Sequence, residues 1–177
     1  MENNISELGC EFLAKVLINP NNKIAKLRLD NNKIGVKGLA ALTMGLQENG
    51  NLEKLSLNFC SIPPEGSKYI QEILANLRTK LRTLKLQGNP LGNEGFYEVI
   101  RAVDSCGEHL EKLNLADTGL NLLNLLPDDM ELNDTLEEAI LNKLLQVLRD
   151  NKSIAKYSFK NNYIADFVAM KMLKEVK

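Results

Sequence analysis

The chain has 177 residues, a formal net charge of −1, and 44% hydrophobic against 25% charged residues. That balance suits one folded domain with a continuous core, excludes disorder as a description of the whole, and argues against a broad nucleic-acid or acidic-membrane binder. Leucine dominates, with 32 residues against no tryptophan and five phenylalanines, so one branched aliphatic side chain fills equivalent slots again and again.

From the start of the chain, Met1 leads into Glu2, Asn3 and Asn4 without a basic region followed by an apolar one, and no later stretch has the length of apolar residues that crosses a membrane. A soluble, cytoplasmic protein is expected. Cys10, Cys60 and Cys106 are odd in number and far apart, which fits neither a disulfide framework nor a paired metal-ligand spacing and points to a reducing compartment. The triplets Asn4-Ile5-Ser6, Asn133-Asp134-Thr135 and Asn151-Lys152-Ser153 carry little weight as glycosylation sites in a chain this rich in asparagine.

Segments beginning at Ile24, Leu52, Leu81, Leu110 and Ile154 match one another position by position: IAKLRLDNNKIG, LEKLSLNFCSIP, LRTLKLQGNPLG, LEKLNLADTGLN and IAKYSFKNNYIA. The shared pattern is L-x-x-L-x-L-x-x-N-x-I/L followed by a stretch of helical period, and the starts lie 28, 29, 29 and 44 residues apart. A half unit precedes them, because Ile5, Gly9, Leu13 and Leu17 fall 29 residues before Ile34, Gly38, Leu42 and Leu46. Self-similarity at this period predicts a solenoid. The expected organisation is a single domain over 1–177, made of a half repeat 1–23, repeats 24–51, 52–80, 81–109 and 110–153, and a closing repeat 154–177.

Within each repeat, inner leucines such as Leu27 and Leu29 alternate with Lys26, Arg28 and Asp30, which predicts one short strand with a core side and a solvent side. Three residues beyond the second inner leucine stands a slot holding Asn3, Asn32, Cys60, Asn89, Thr118 and Asn162. A buried amide there serves turn backbone in its own and the neighbouring unit. Cys60 and Thr118 are weaker substitutes, so this ladder is expected to be loosest beside them. Gly9, Gly38, Gly66 and Gly95 recur at helix starts, which fits close approach of the helix and strand layers, and apolar residues at three- and four-residue steps, such as Phe96, Val99, Ile100 and Val103, form the inward face of an amphipathic helix.

These motifs resemble leucine-rich repeats of the ribonuclease-inhibitor-like class over nearly the whole chain. The resemblance implies an α/β horseshoe with a concave parallel β-sheet of about five strands and about six convex helices. The family spans nuclease inhibitors, ligand-sensing domains of innate immune receptors, a Ran GTPase activator, actin-capping proteins of the tropomodulin type, axonemal subunits and bacterial effectors, so the fold implies binding without naming the partner. A cytoskeletal or ciliary setting falls within that range.

Two features depart from the repeat. About 15 extra residues near 121–135, reading NLLNLLPDDMELNDT, enter the turn-to-helix region of the fourth full repeat. Leu122, Leu123, Leu125, Leu126 and Met130 there either fold back over the widened gap or, with Asp128 and Asp129, form a partner-docking segment; calcium binding by the acidic residues lacks EF-hand spacing. At the ends, the first unit offers no dedicated cap and its helix is expected to be the least stable element. The last unit carries Tyr157, Phe159 and Val168 where other repeats hold Leu, Leu and Gly, with Lys171, Lys174 and Lys177 on its helix, as expected of a cap. End-on packing within a larger complex is one expectation from this.

The solvent-facing strand positions form columns that include Lys26, Arg28, Lys54, Lys85, Lys112, Lys156 and Lys160 and a single acid, Asp30. They predict positive potential inside the arc and a binding surface for an acidic protein or peptide, against the plainer role of keeping an open sheet soluble. Nucleic acid is disfavoured because no aromatic residue interleaves with these lysines outside core slots. Gly88 to Gly95 lacks the Lys-Ser/Thr of a phosphate loop, and neither His109, Cys10 nor Cys60 has a partner set that reads as catalytic. The expectation is a non-enzymatic interaction module or scaffold subunit without cofactor or metal, binding a protein rather than nucleic acid or membrane. The alternatives are a small-GTPase regulator, by family resemblance, and a host-directed bacterial effector.

Overall fold

In the computed structural model, which describes residues 3–19, 21–76, 78–106, 109–125 and 135–176, each sequence repeat becomes a strand, a turn and a helix. Helix α1 (Glu7–Ile18) stands without a strand of its own. Then follow β1 (Lys26–Arg28) with α2 (Gly35–Gln47), β2 (Lys54–Ser56) with a short 3-10 turn (Pro64–Gly66) and α3 (Ser67–Ala75), and β3 (Thr83–Lys85) with α4 (Gly92–Cys106). Beyond them come β4 (Lys112–Asn114), β5 (Asn121–Leu122) and α5 (Leu136–Asp150), and lastly β6 (Lys156–Ser158), β7 (Tyr163–Ile164) and α6 (Asp166–Glu175). The main sheet is parallel throughout in the order β1-β2-β3-β4-β6. Among the described residues, the five-stranded parallel main sheet and six helices match the horseshoe architecture, and the small parallel sheet of β5 and β7 is an addition.

One core runs the length of the stack between sheet and helices. Leu55 and Leu57, Leu84 and Leu86, and Leu113 and Leu115 are all buried, as the strand alternation requires, and the helices contribute Leu39, Leu42, Phe96, Val99, Ile100, Ile140 and Leu144. The terminal strands are less complete: Leu27 in β1 and Tyr157 and Phe159 around β6 are only half-buried. Tyr157 stacks on Phe159 at 5.8 Å between ring centroids, and Phe159 reaches Phe96 at 6.0 Å.

The recurrent helix-start glycines do allow close packing, but chiefly against the incoming turn and the preceding unit. A Cβ on Gly66 would meet Ile62 Cγ2 at 2.5 Å, and one on Gly95 would meet Pro64 Cα at 3.0 Å. The tightest helix-to-helix approach belongs to a glycine outside that series, Gly45, where a Cβ would lie 2.6 Å from the Cα of Ala14 on α1. Only a residue without a side chain lets α1 and α2 pack that closely.

Candidate concave binding face

The polar ladder behind the face is what makes its strands rigid. Asn89 is fully buried and makes four hydrogen bonds: its Oδ1 accepts from the amides of Cys60 and Ile62 at 3.0 Å each, and its Nδ2 donates to Leu57 O and Leu86 O. Asn162 repeats the arrangement, accepting from Thr118 N and Leu120 N and donating to Leu115 O and Phe159 O. Asn32 accepts from Ile5 N and donates to Leu29 O and Asp30 O. Asn3, at the head of the series, is exposed.

Beside Cys60 and Thr118 the expected looseness is offset by a different turn. The Cys60 thiol donates to Leu29 O and the Thr118 hydroxyl to Leu115 O, but neither takes the place of the amide oxygen that would accept from the previous turn. There the previous turn uses backbone acceptors instead, one of its own and one of the next turn: Ile34 N bonds Asn32 O and Gly35 N bonds Cys60 O, just as Leu91 N bonds Asn89 O and Gly92 N bonds Thr118 O. Gly35 and Gly92 adopt φ +60° and +61°, which favours glycine. The repeats therefore alternate between two turn types, a feature the sequence displays in Asn-x-Ile/Leu-Gly at 32–35 and 89–92 and the repeat pattern alone does not reveal.

A second set of asparagines was not anticipated. Asn49 Nδ2 donates to Leu17 O while its Oδ1 accepts from Asn51 N and Leu52 N, and Asn76 Nδ2 donates to Leu46 O and Gln47 O. These amides take up helix-end carbonyls of the preceding repeat, groups that a helix leaves without internal partners. Asn151 likewise accepts from Ser153 N and Ile154 N, so the triplet at 151–153 is a structural turn. The residue count of asparagine was the visible signal.

On the concave side, the strand register sets Lys26 opposite Lys54, Lys54 opposite Thr83, Thr83 opposite Lys112, and Lys112 opposite Lys156. Lys26, Arg28, Lys54, Lys112, Lys156 and Lys160 are exposed and Lys85 is half-buried, and none of the seven forms an ion pair with a described residue. Asp30, the acid among these positions, is occupied within the face, accepting from Ser56 Oγ at 2.6 Å and from Asn58 N at 2.8 Å. A polar row continues from it: Asn58 Oδ1 accepts from Gln87 N, and Asn114 Nδ2 donates to Gln87 Oε1. The face thus offers unpaired cations over a hydrogen-bonded floor. The exposed Phe59, at φ +54°, lies over Gly88 at the rim, where a Cβ on that glycine would come within 2.1 Å of its ring.

The inserted segment is split. Leu122 and Leu125 are buried, Leu123 is 52% exposed, and Leu126, Asp128, Asp129 and Met130 lie outside the described residues. Its entry is pinned: Asn121 pairs with Tyr163 across β5 and β7, and Asn93 accepts from Asn121 N while donating to Asn121 O and Glu137 Oε1. Its exit is capped, with Thr135 Oγ1 accepting from Glu138 N at the start of α5. Leu122 and Leu125, at the start of the segment, are buried as the covering role requires, while Leu123 is exposed.

Burial pushes the Cys10 and Cys60 thiols up to about 11, and that of Tyr157 raises its hydroxyl to about 12. A thiol held neutral in this way is a poor nucleophile. His109 shares a surface notch with Glu53, Arg82 and Glu111, where Arg82 pairs with Glu111 at 2.6 Å. Among the described residues no three His, Cys, Asp or Glu side chains gather as a metal site, and no helix is long and apolar enough to cross a membrane.

Comparison with known proteins agrees with this geometry. The family described as Leucine Rich repeat matches residues 21–42 and 79–97. The ribonuclease inhibitor of Mus musculus is 26% identical over 99% of this chain and 35% of its own length, and that of Sus scrofa is 28% identical over 92% and 32%. NACHT, LRR and PYD domains-containing protein 5 of Mus musculus is 30% identical over 66% of this chain and 10% of its own. This chain therefore spans about a third or less of the curated relatives it matches. The tropomodulin C-terminal domain of Caenorhabditis elegans superposes with a TM-score of 0.71 at 12% identity, covering 94% of this chain and 90% of that one, a likeness of fold.

Proposed function

From the premise that this chain is a leucine-rich repeat protein of the ribonuclease-inhibitor-like class, we propose that it is a non-catalytic protein-interaction module whose concave sheet docks an acidic segment of a protein partner. The observation that carries this reading is the row of facing lysines. Like charges directly opposite one another on neighbouring strands are destabilising, yet Lys26 faces Lys54 and Lys112 faces Lys156 with no carboxylate between them. Adjacent strands lie about 4.8 Å apart, so a partner's carboxylates spaced at one helical turn match the row and relieve that repulsion. The hydrogen-bonded floor of Asp30, Ser56, Asn58 and Gln87 holds the strands in place before binding, which lowers the ordering cost.

The proposed setting is cytoplasmic, in keeping with the buried free thiols of Cys10 and Cys60. A cytoskeletal or scaffold role stays with the family range. The contact is tested by cross-linking to lysate proteins with the wild type and with Lys26, Lys54, Lys112 and Lys156 all changed to glutamate. The expected result is a partner cross-linked near the sheet, bound on the order of 100-fold more weakly by the reversal, and weakened by salt because the charges are exposed. Binding that survives the reversal and maps to 121–135 or an end helix overturns the concave reading and assigns the contact to the inserted segment or to that helix.

A further inference from the structure

We infer, on the footing of the concave reading above, that Phe59 and Gly88 form an aromatic subsite at the rim of the face, where the acidic partner segment seats an aromatic side chain of its own. One turn position recurs through the sheet, held by Asn31, Phe59, Gly88, Asp117 and Asn161, and all five have positive φ, from +54° to +69°. Asparagine, aspartate and glycine tolerate that backbone, whereas a bulky side chain in it is an outlier. Phe59 is therefore held where its side chain is disfavoured, and such outliers gather where a protein binds or reacts.

The ring is not spent on the core. Phe59 is 45% exposed, although β2 has a strand of the main sheet on each side. The other exposed large apolar residues among those described lie on or beside α1, α2 and α6 or around β5 and β7, so the concave rim carries Phe59. The neighbouring repeat is shaped to it. A Cβ on Gly88 would come within 2.1 Å of the ring, so the asparagine or aspartate of the other repeats could not stand there. Among the five positions glycine occurs once, beside the one aromatic.

The surrounding charges select the occupant. Arg28 and Lys85 flank Ser56 in the strand register, and each stands three residues before the rim position of its own repeat. At about 3.3 Å per residue, that sets a cation about 10 Å down the face from the rim. An extended segment with an acidic residue three positions from an aromatic one spans the same distance. Arg28, Lys33 and Lys85 in the flanking repeats disfavour a basic side chain over the ring. Of the acids, Asp30 is engaged by Ser56 and Asn58, while exposed Asp117, one repeat beyond Gly88, sets carboxylates back toward Arg28 and Lys85. An uncharged ring is left as the group that stacks on Phe59. Aromatic side chains on a fixed support are frequent anchors of interfaces, and here the support is the Gly88 backbone with the Gln87 amide bonded to Asn58 Oδ1 beside it.

The test is an amide NMR titration of the isotope-labelled 177-residue chain with two synthetic peptides, Glu-Glu-Ser-Ser-Phe-Ser-Ser-Glu-Glu and the same sequence with Ala for Phe. Acids on both sides of the aromatic serve either chain direction. Both peptides are expected to shift amides of β1, β2 and β4, while the Phe peptide alone shifts Phe59 and Gly88 and binds about tenfold more tightly. Phe59→Asn, which puts at this position the residue found at 31 and 161, is expected to make the two peptides equal, whereas Phe59→Tyr keeps the difference. Equal binding of the two peptides by the wild type, or a difference that survives Phe59→Asn, overturns the aromatic subsite and leaves the concave reading standing. If neither peptide shifts the strand amides, the concave reading fails and the subsite with it. The comparison of the two peptides on the wild type decides the matter even where Phe59→Asn does not fold.

Discussion

Helices α4 and α6 follow one template and meet opposite surroundings. In α4, Phe96, Val99, Ile100 and Val103 are all fully buried, because a helix stands on either side; in α6 the buried residue is Val168, while Met170, Leu173 and Val176 face outward. Burial in a stack of repeats is conferred by the neighbour as much as by the residue, since each unit contacts only the units beside it. The same leucine is core in one repeat and surface in the next. By this measure the thinnest helix is α6, for α1 still buries Cys10, Ala14 and Leu17 against the stack.

The strongest way to break this comparison is to cut matched side chains from the two helices. Ile100→Ala leaves a cavity in the middle of the core and is expected to lower unfolding stability by about 4 kcal/mol, whereas Leu173→Ala, at the same position of α6, is expected to cost less than about 0.5 kcal/mol. Urea denaturation of both variants checks the contrast, and equal losses would mean that Leu173 is as buried in solution as Ile100.

A second comparison sets the interior amide Asn89 against its terminal counterpart Asn162. Asn89→Ala orphans two buried amides and two carbonyls, so a loss of about 3 kcal/mol is expected, with faster hydrogen exchange at Cys60 and Ile62. Asn162→Ala is expected to cost roughly half as much, because its site is partly exposed and water replaces part of the set. Denaturation of the two variants side by side, with amide exchange, distinguishes them.

Alkaline pH gives the most diffuse effect, spread over several groups. Cys10 and Cys60 are held neutral up to about 11 in the folded chain, against an ordinary 9.0. Above pH 9 the unfolded chain releases those protons while the folded chain retains them, so stability falls from pH 9 toward pH 11, by on the order of 2 kcal/mol per thiol at the upper limit. Tyr157 adds to the fall from pH 10 upward. Denaturation midpoints measured from pH 8 to 11 should decline, and Cys10→Ala should flatten the first part of the decline.

Much of this was legible from residue spacing. The strand leucines, the amide ladder and the lysine columns follow from a period that places every side chain on the inner or outer side of its strand, and the parallel register then aligns Lys26, Lys54, Lys112 and Lys156 without further information. What spacing did not disclose depends on the third dimension. The approach of Gly45 to Ala14 depends on how closely α1 and α2 lie, the pairing of Asn121 with Tyr163 joins residues across the inserted segment, and the helix-end work of Asn49 and Asn76 needs the preceding repeat in place. The occupied state of Asp30 was equally hidden, since nothing in a column of residue types tells that Ser56 and Asn58 turn toward it.

The two alternating turns have a consequence for how such a chain can be lengthened or shortened. Gly35 and Gly92, which mark one turn type, stand 57 residues apart, twice the strand-to-strand period. The smallest block that can be excised or duplicated with every junction preserved is therefore a pair of repeats. Loss of residues 35–91 would set Asn32 against Thr118, a thiol-for-hydroxyl exchange that keeps the glycine turn and its bond to the next carbonyl. Loss of a single repeat would set Asn32 against Asn89, beside a glycine turn whose amides are already engaged. Growth of the array, in a genome or at a designer's bench, is thus quantised in twos.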